Sequence, residues 1–68
     1  MNRIKELLEQ YNWTQEELSF RSQVSQPQIN RIANERTGTG NLQLRTAARI
    51  AKAFKKPVEY VFPDYFKN

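Results

Sequence analysis

Trp13-Thr14-Gln15-Glu16-Glu17-Leu18 and Val24-Ser25-Gln26-Pro27-Gln28-Ile29 are the two segments that decide the fold. Each sets an apolar residue before a hydroxyl N-cap, a Glu or Gln three residues after the cap, and a second apolar residue next to it. That is the pattern of a capping box with a hydrophobic staple, and it marks a helix start. The two caps stand eleven residues apart, which leaves about two helical turns and then the short connection Ser22-Gln23-Val24. A connection this short swings the second helix sharply across the first. The outer side chains of that second helix include Gln26, Gln28, Asn30 and Arg31. Amides and guanidinium groups can each make paired hydrogen bonds to a base edge, and folding alone gives them little reason to cluster there.

The chain has 68 residues, 38% of them hydrophobic, and contains neither cysteine nor histidine. A domain of this size buries only about 60% of the surface its unfolded chain exposes, so helix packing or self-association must supply its stability. One domain over 1–68 is expected. Without Cys or His there is no thiol nucleophile, imidazole shuttle or soft metal ligand, and no glycine-rich phosphate cradle follows a strand. Glu16 and Glu17 are neighbours on a helix and do not face each other, and Glu17 is expected to complete the first capping box. An enzymatic role, a metal, a cofactor and a small-molecule ligand are therefore not expected. No apolar run approaches a membrane span, and Met1 to Glu6 lead into an amphipathic helix rather than a signal segment, so a cytoplasmic protein is expected.

The net charge of +4 is unevenly placed. Residues 1–20 carry Arg3 and Lys5 against Glu6, Glu9, Glu16 and Glu17, a net of −2. Residues 21–56 carry Arg21, Arg31, Arg36, Arg45, Arg49, Lys52, Lys55 and Lys56 against Glu35 alone, a net of +7. A basic block that starts beside the second capped helix and runs past it is where a polyanion would be met.

Helical spacing extends the reading in both directions. Ile4, Leu7, Leu8 and Tyr11 predict helix 1 over about 2–11, with Asn12 able to end it in the left-handed conformation. Helix 2 opens at Thr14 and fades near Ser22. Helix 3 opens at Ser25, tolerates Pro27 in its first turn, buries Ile29, Ile32 and Ala33, and ends near Asn34. Glu35 to Asn41 contain both glycines and read as a loop. Leu44, Ala47, Ala48, Ala51 and Phe54 form the expected stripe of helix 4, with Arg45, Arg49 and Lys52 in water. Pro57 suits the start of a short helix 5 bearing Val58, Val61 and Phe62, closed by Pro63. The expected class is all-α, a five-helix globule.

Thr14 to Leu18 followed by Val24 to Ile32 resembles the lambda-repressor-like helix-turn-helix family, which includes phage Cro proteins and many bacterial regulators. Leu44 to Phe54 and Pro57 to Phe62 are similar to that family's fourth and fifth helices. The resemblance covers about residues 3–62 and leaves 63–68 as a short tail. It implies a transcriptional regulator, chiefly a repressor, binding double-stranded DNA as a homodimer on a partly palindromic site, with helix 3 in the major groove. By position, Gln26, Pro27, Gln28 and Arg31 would read bases. Gln26 would lead on adenine, Arg31 one turn along would address guanine, and Pro27 would touch a thymine methyl. Gln15, Asn30, Asn34, Arg36, Thr37 and Thr39 would hold phosphates. Val58, Val61, Phe62, Tyr65 and Phe66 are a candidate dimer surface, with closure of the core under helix 5 as their competing use.

Departures from the family pattern are local. Gln23 replaces the usual turn glycine, at a cost on the order of 1 kcal/mol, so a tighter or distorted turn is expected. Leu8 and Ala33 replace both members of a frequent arginine–glutamate pair. Glu35, Gly38 and Gly40 remodel the loop, and Phe20, where a polar residue is usual, is expected as a half-covered ring, with a small interface contact as the other reading. A protein-binding module of the same fold, antitoxin-like or an anti-repressor subunit, is the alternative. Such a face should carry aromatic or Met anchors on helix 3, where this chain has amides and an arginine.

Overall fold

The computed structural model describes residues 2–34 and 42–64. Five helices occupy them: α1 (Ile4–Tyr11), α2 (Gln15–Ser22), α3 (Gln26–Ala33), α4 (Leu44–Phe54) and α5 (Val58–Val61). Among the described residues there is no strand. The expected loop at Glu35 to Asn41 lies outside them.

Helices of eight residues are too short to persist alone in water, so tertiary burial must hold them. Leu7 of α1, Leu18 of α2, Ile29 of α3, Ile50 and Phe54 of α4, and Val61 and Phe62 at α5 are fully buried in one cluster. Each such side chain contributes about 1.5–3 kcal/mol relative to exposure. α4 packs against α2 and α5, and α2 packs against α3. Leu8 and Ala33 are both buried, so the place of an ion pair is filled by apolar packing that leaves no charge to neutralise.

The stripe of α4 differs from the expected one. Ala47, Ile50, Ala51 and Phe54 face inward, whereas Leu44 is 54% exposed and Ala48 is exposed. Both stripes have helical spacing, and the one that buries Ile50 rather than Ala48 removes more apolar area from water. Phe20 is corrected as well: its ring is 82% exposed, because the inward face of α2 is filled by Leu18 and Ser22.

Two long-range ties close the ends of the chain on each other. The Arg3 N–H donates to Val61 O (2.9 Å) and the Arg3 Nε to Tyr60 O (2.9 Å), joining the entrance of α1 to α5. Asn2 Oδ1 accepts from the Ile4 N–H (3.1 Å) while its Nδ2 donates to Ile32 O (2.8 Å), so one amide caps α1 and holds the end of α3. Beside the core, Trp13 stacks on Phe54 with ring centroids 5.5 Å apart, and Tyr11 meets both rings edge-on. The Tyr11 hydroxyl donates to Phe54 O (2.6 Å), which satisfies its polar end.

α1, α2 and α4 each end in a left-handed residue, Asn12 (φ 60°), Gln23 (φ 59°) and Lys55 (φ 57°). The α2–α3 turn is therefore the ordinary left-handed one, carried by a glutamine instead of a glycine, and not a distorted turn. Gln23→Gly should raise stability by about 0.5–1 kcal/mol in chemical denaturation, through relief of the Cβ clash offset by backbone entropy. A variant less stable than the parent would contradict this account of the turn.

Candidate nucleic-acid interface

The caps set where the site begins. Thr14 Oγ1 accepts from the Glu17 N–H (3.1 Å) and Ser25 Oγ accepts from the Gln28 N–H (3.4 Å). The return bond expected from Glu17 is not made. Its carboxylate pairs with Arg21 Nε one turn along α2, a charged partner that outcompetes a backbone amide. Val24 and Ile29 are buried on either side of Ser25, which pins the N-terminus of α3 to the core and leaves its other face in water.

On that outer face Gln26, Pro27, Asn30 and Arg31 are exposed and Gln28 is half-buried. Pro27, Gln28 and Arg31 border one shallow depression of about 390 Å³. Gln26 stands apart from them. It stands five positions before Arg31, about 140° around the helix axis, and its neighbour one turn along is Asn30. The two expected leading readers therefore flank the ridge rather than share one row. Both reach a groove only if the ridge enters it, as a docked recognition helix does.

The expected phosphate contacts divide. Asn34 Nδ2 donates to Asn30 O (2.8 Å) and to Asn30 Oδ1 (2.7 Å), so these two amides are held together at the end of α3. Gln15 is half-buried at the first position of α2, well removed in the chain from that pair. Arg36, Thr37 and Thr39 lie outside the described residues. The two helix starts also differ electrostatically. The first turn of α2 carries Glu16 and Glu17, whereas that of α3 carries no acidic residue, so the positive end of α3 is uncompensated by any carboxylate of its own.

The candidate dimer surface is largely taken by the fold. Val61 and Phe62 are fully buried and Val58 packs on the core, because a single-turn helix tied to Arg3 must bury its apolar side within the chain. Those three close the core, and Tyr65 and Phe66 lie outside the described residues. Periodicity also missed Asn2, whose link to Ile32 O orients α3 from 30 residues away. A lone Asn near a chain start carries no spacing signal.

A helix-turn-helix family model matches residues 4–61, from the first residue of α1 to the last of α5. The chain belongs to the lambda-repressor-like helix-turn-helix family. Domains of this helix-turn-helix family bind double-stranded DNA, and the family is regulatory and generally not enzymatic. No characterised protein and no solved structure matches the chain. Among the described residues of this helix-turn-helix domain, no helix is long and apolar enough to cross a membrane, and no cluster of His, Cys, Asp or Glu could hold a metal ion.

Ser25 sets the start of the outer face of α3, so its loss should be felt as folding energy. Ser25→Ala should cost about 1 kcal/mol of stability, read from the shift in urea midpoint at unchanged slope. A midpoint unchanged within error would show that the cap does not hold α3.

Proposed function

We propose that the chain is a sequence-specific repressor that occupies an operator as a dimer, with α3 in the major groove. The observation that carries this reading is the outer face of α3, where exposed amides and one guanidinium surround a proline and no carboxylate intervenes. Gln26 matches adenine N6 and N7, Arg31 matches guanine O6 and N7, Pro27 supplies apolar contact for a thymine methyl, and Gln28 reaches the adjoining edge. Asn30, held in place by the two hydrogen bonds that Asn34 donates to it, and Gln15 hold backbone oxygens and set register, with Arg36, Thr37 and Thr39 assigned to the same work.

Pairing follows from the size of the site. Each good base contact discriminates by about 1–3 kcal/mol, whereas specific operators are bound about 4–10 kcal/mol more tightly than other DNA. The two bidentate readers of this eight-residue helix, Gln26 and Arg31, supply about 2–6 kcal/mol, which covers only the lower part of that range. Two copies about one DNA turn apart on a partly palindromic site cover the rest. Their contact lies outside Val61 and Phe62, which are committed to the core of each copy.

Gln26→Ala and Arg31→Ala should each lose about 1–3 kcal/mol on the cognate duplex, measured by fluorescence anisotropy, with affinity for unrelated duplex nearly unchanged. Equal losses on both duplexes would remove these residues from base reading.

A further inference from the structure

The end of α2 and the outer side of α4 enclose a second concavity, a cleft of about 430 Å³ lined by Arg21, Ser22, Gln23, Arg49, Lys52 and Ala53. It shares no residue with the face of α3. Three of its six lining residues are cations and none is a carboxylate. Arg49 and Lys52 are exposed, stand three residues apart on one side of α4, and make no ion pair with any described residue. Like charges so placed repel each other, and a counter-ion relieves that repulsion. Glu17 is the nearby acid, and it is committed to Arg21 Nε, a contact that does not require the two terminal NH2 groups of that guanidinium. Three full charges outweigh this one carboxylate and the partial negative charge at the ends of α2 and α4.

Gln23 brings an amide to the same cleft. Like Asn12 and Lys55 it ends its helix in the left-handed conformation, and it is one of the residues that line the cleft. We propose that this cleft binds a phosphate group, through the guanidinium groups of Arg21 and Arg49, the ammonium of Lys52 and the amide of Gln23. The group is either a free phosphate or diphosphate or a backbone phosphate of bound DNA. The site stands on its own residues and does not depend on base reading by α3.

The fold supplies a reporter. The guanidinium carbon of Arg21 lies 4.4 Å from the ring centroid of Trp13, the one tryptophan of the chain, and that ring stacks on Phe54. A phosphate that engages Arg21 therefore alters the charge over the indole.

The test is titration of the full chain with sodium phosphate and with pyrophosphate, ionic strength being held constant with sodium chloride. Trp13 emission and the backbone amide shifts of Gln23, Arg49 and Lys52 are followed together. The expected result is a saturable change in the amide shifts, with emission following it, and a midpoint at least tenfold higher in the double variant Arg49→Gln, Lys52→Gln. Circular dichroism and a thermal melt of that variant establish that it is folded. A response no larger than that of chloride, or an equal midpoint in the folded variant, overturns the proposal. Duplex titrations across salt then name the source. A slope of log K on log salt flattened by about 1.8 in the variant assigns the site to bound DNA, and an unchanged slope beside lost phosphate binding assigns it to the free anion.

Discussion

Shared burial of Leu18, Val24 and Ile29 is the constraint from which the rest of this structure follows. α2 and α3 are each eight residues long and neither has the length to persist alone. They exist as a pair because one apolar line runs from the inward side of α2, through the turn, to the inward side of α3, and closes against the core built on α4. The turn leaves that line unbroken by taking Gln23 into the left-handed region, and Ser25 starts α3 at the residue after buried Val24. Once Ile29, Ile32 and Ala33 are fixed inward, Gln26, Pro27, Asn30 and Arg31 have only water to face. The polar ridge is thus a consequence of apolar packing on its other side.

Charge is arranged around this frame with some separation of roles. The face of α3 presents neutral amides and a single cation, chemistry that distinguishes one base pair from another. The cations Arg21, Arg49 and Lys52 lie elsewhere, on α4 and at the end of α2. The first turn of α2 is acidic, and Glu17 engages Arg21 there instead of returning to its cap, so the N-terminus of α3 is the helix start without a carboxylate of its own among these two.

Much of the fold was legible because its signals are local. Both hydroxyl caps act as caps, Asn12 ends α1 in the left-handed conformation, and the helix starts at 15, 26, 44 and 58 follow from capping, proline and helical spacing. The misreadings arise where two local patterns compete or where distance in the chain hides the partner. Ala48 and Ile50 offer alternative stripes for α4, and only the packed core chooses between them. Phe20 is exposed although apolar, since it lies about 200° around the helix axis from buried Leu18. Between a partner surface and core closure for Val61 and Phe62 the sequence does not choose, because nothing nearby announces the bond from Arg3 that folds α5 onto α1. On the interface itself, residue types were readable but their grouping was not. Pro27, Gln28 and Arg31 share a depression while Gln26 lies to the other side, a distinction that depends on helix phase and on which neighbours cover the N-terminus of α3.

The central claim is that the ridge of α3 docks against base edges in the major groove. Selection of bound duplexes from a random pool, followed by sequencing, tests it most directly. The account requires enrichment of one partly symmetric sequence whose half-sites lie about ten base pairs apart, centre to centre. A pool that stays random while the folded protein still retains duplex would contradict it, since attachment would then proceed without reading.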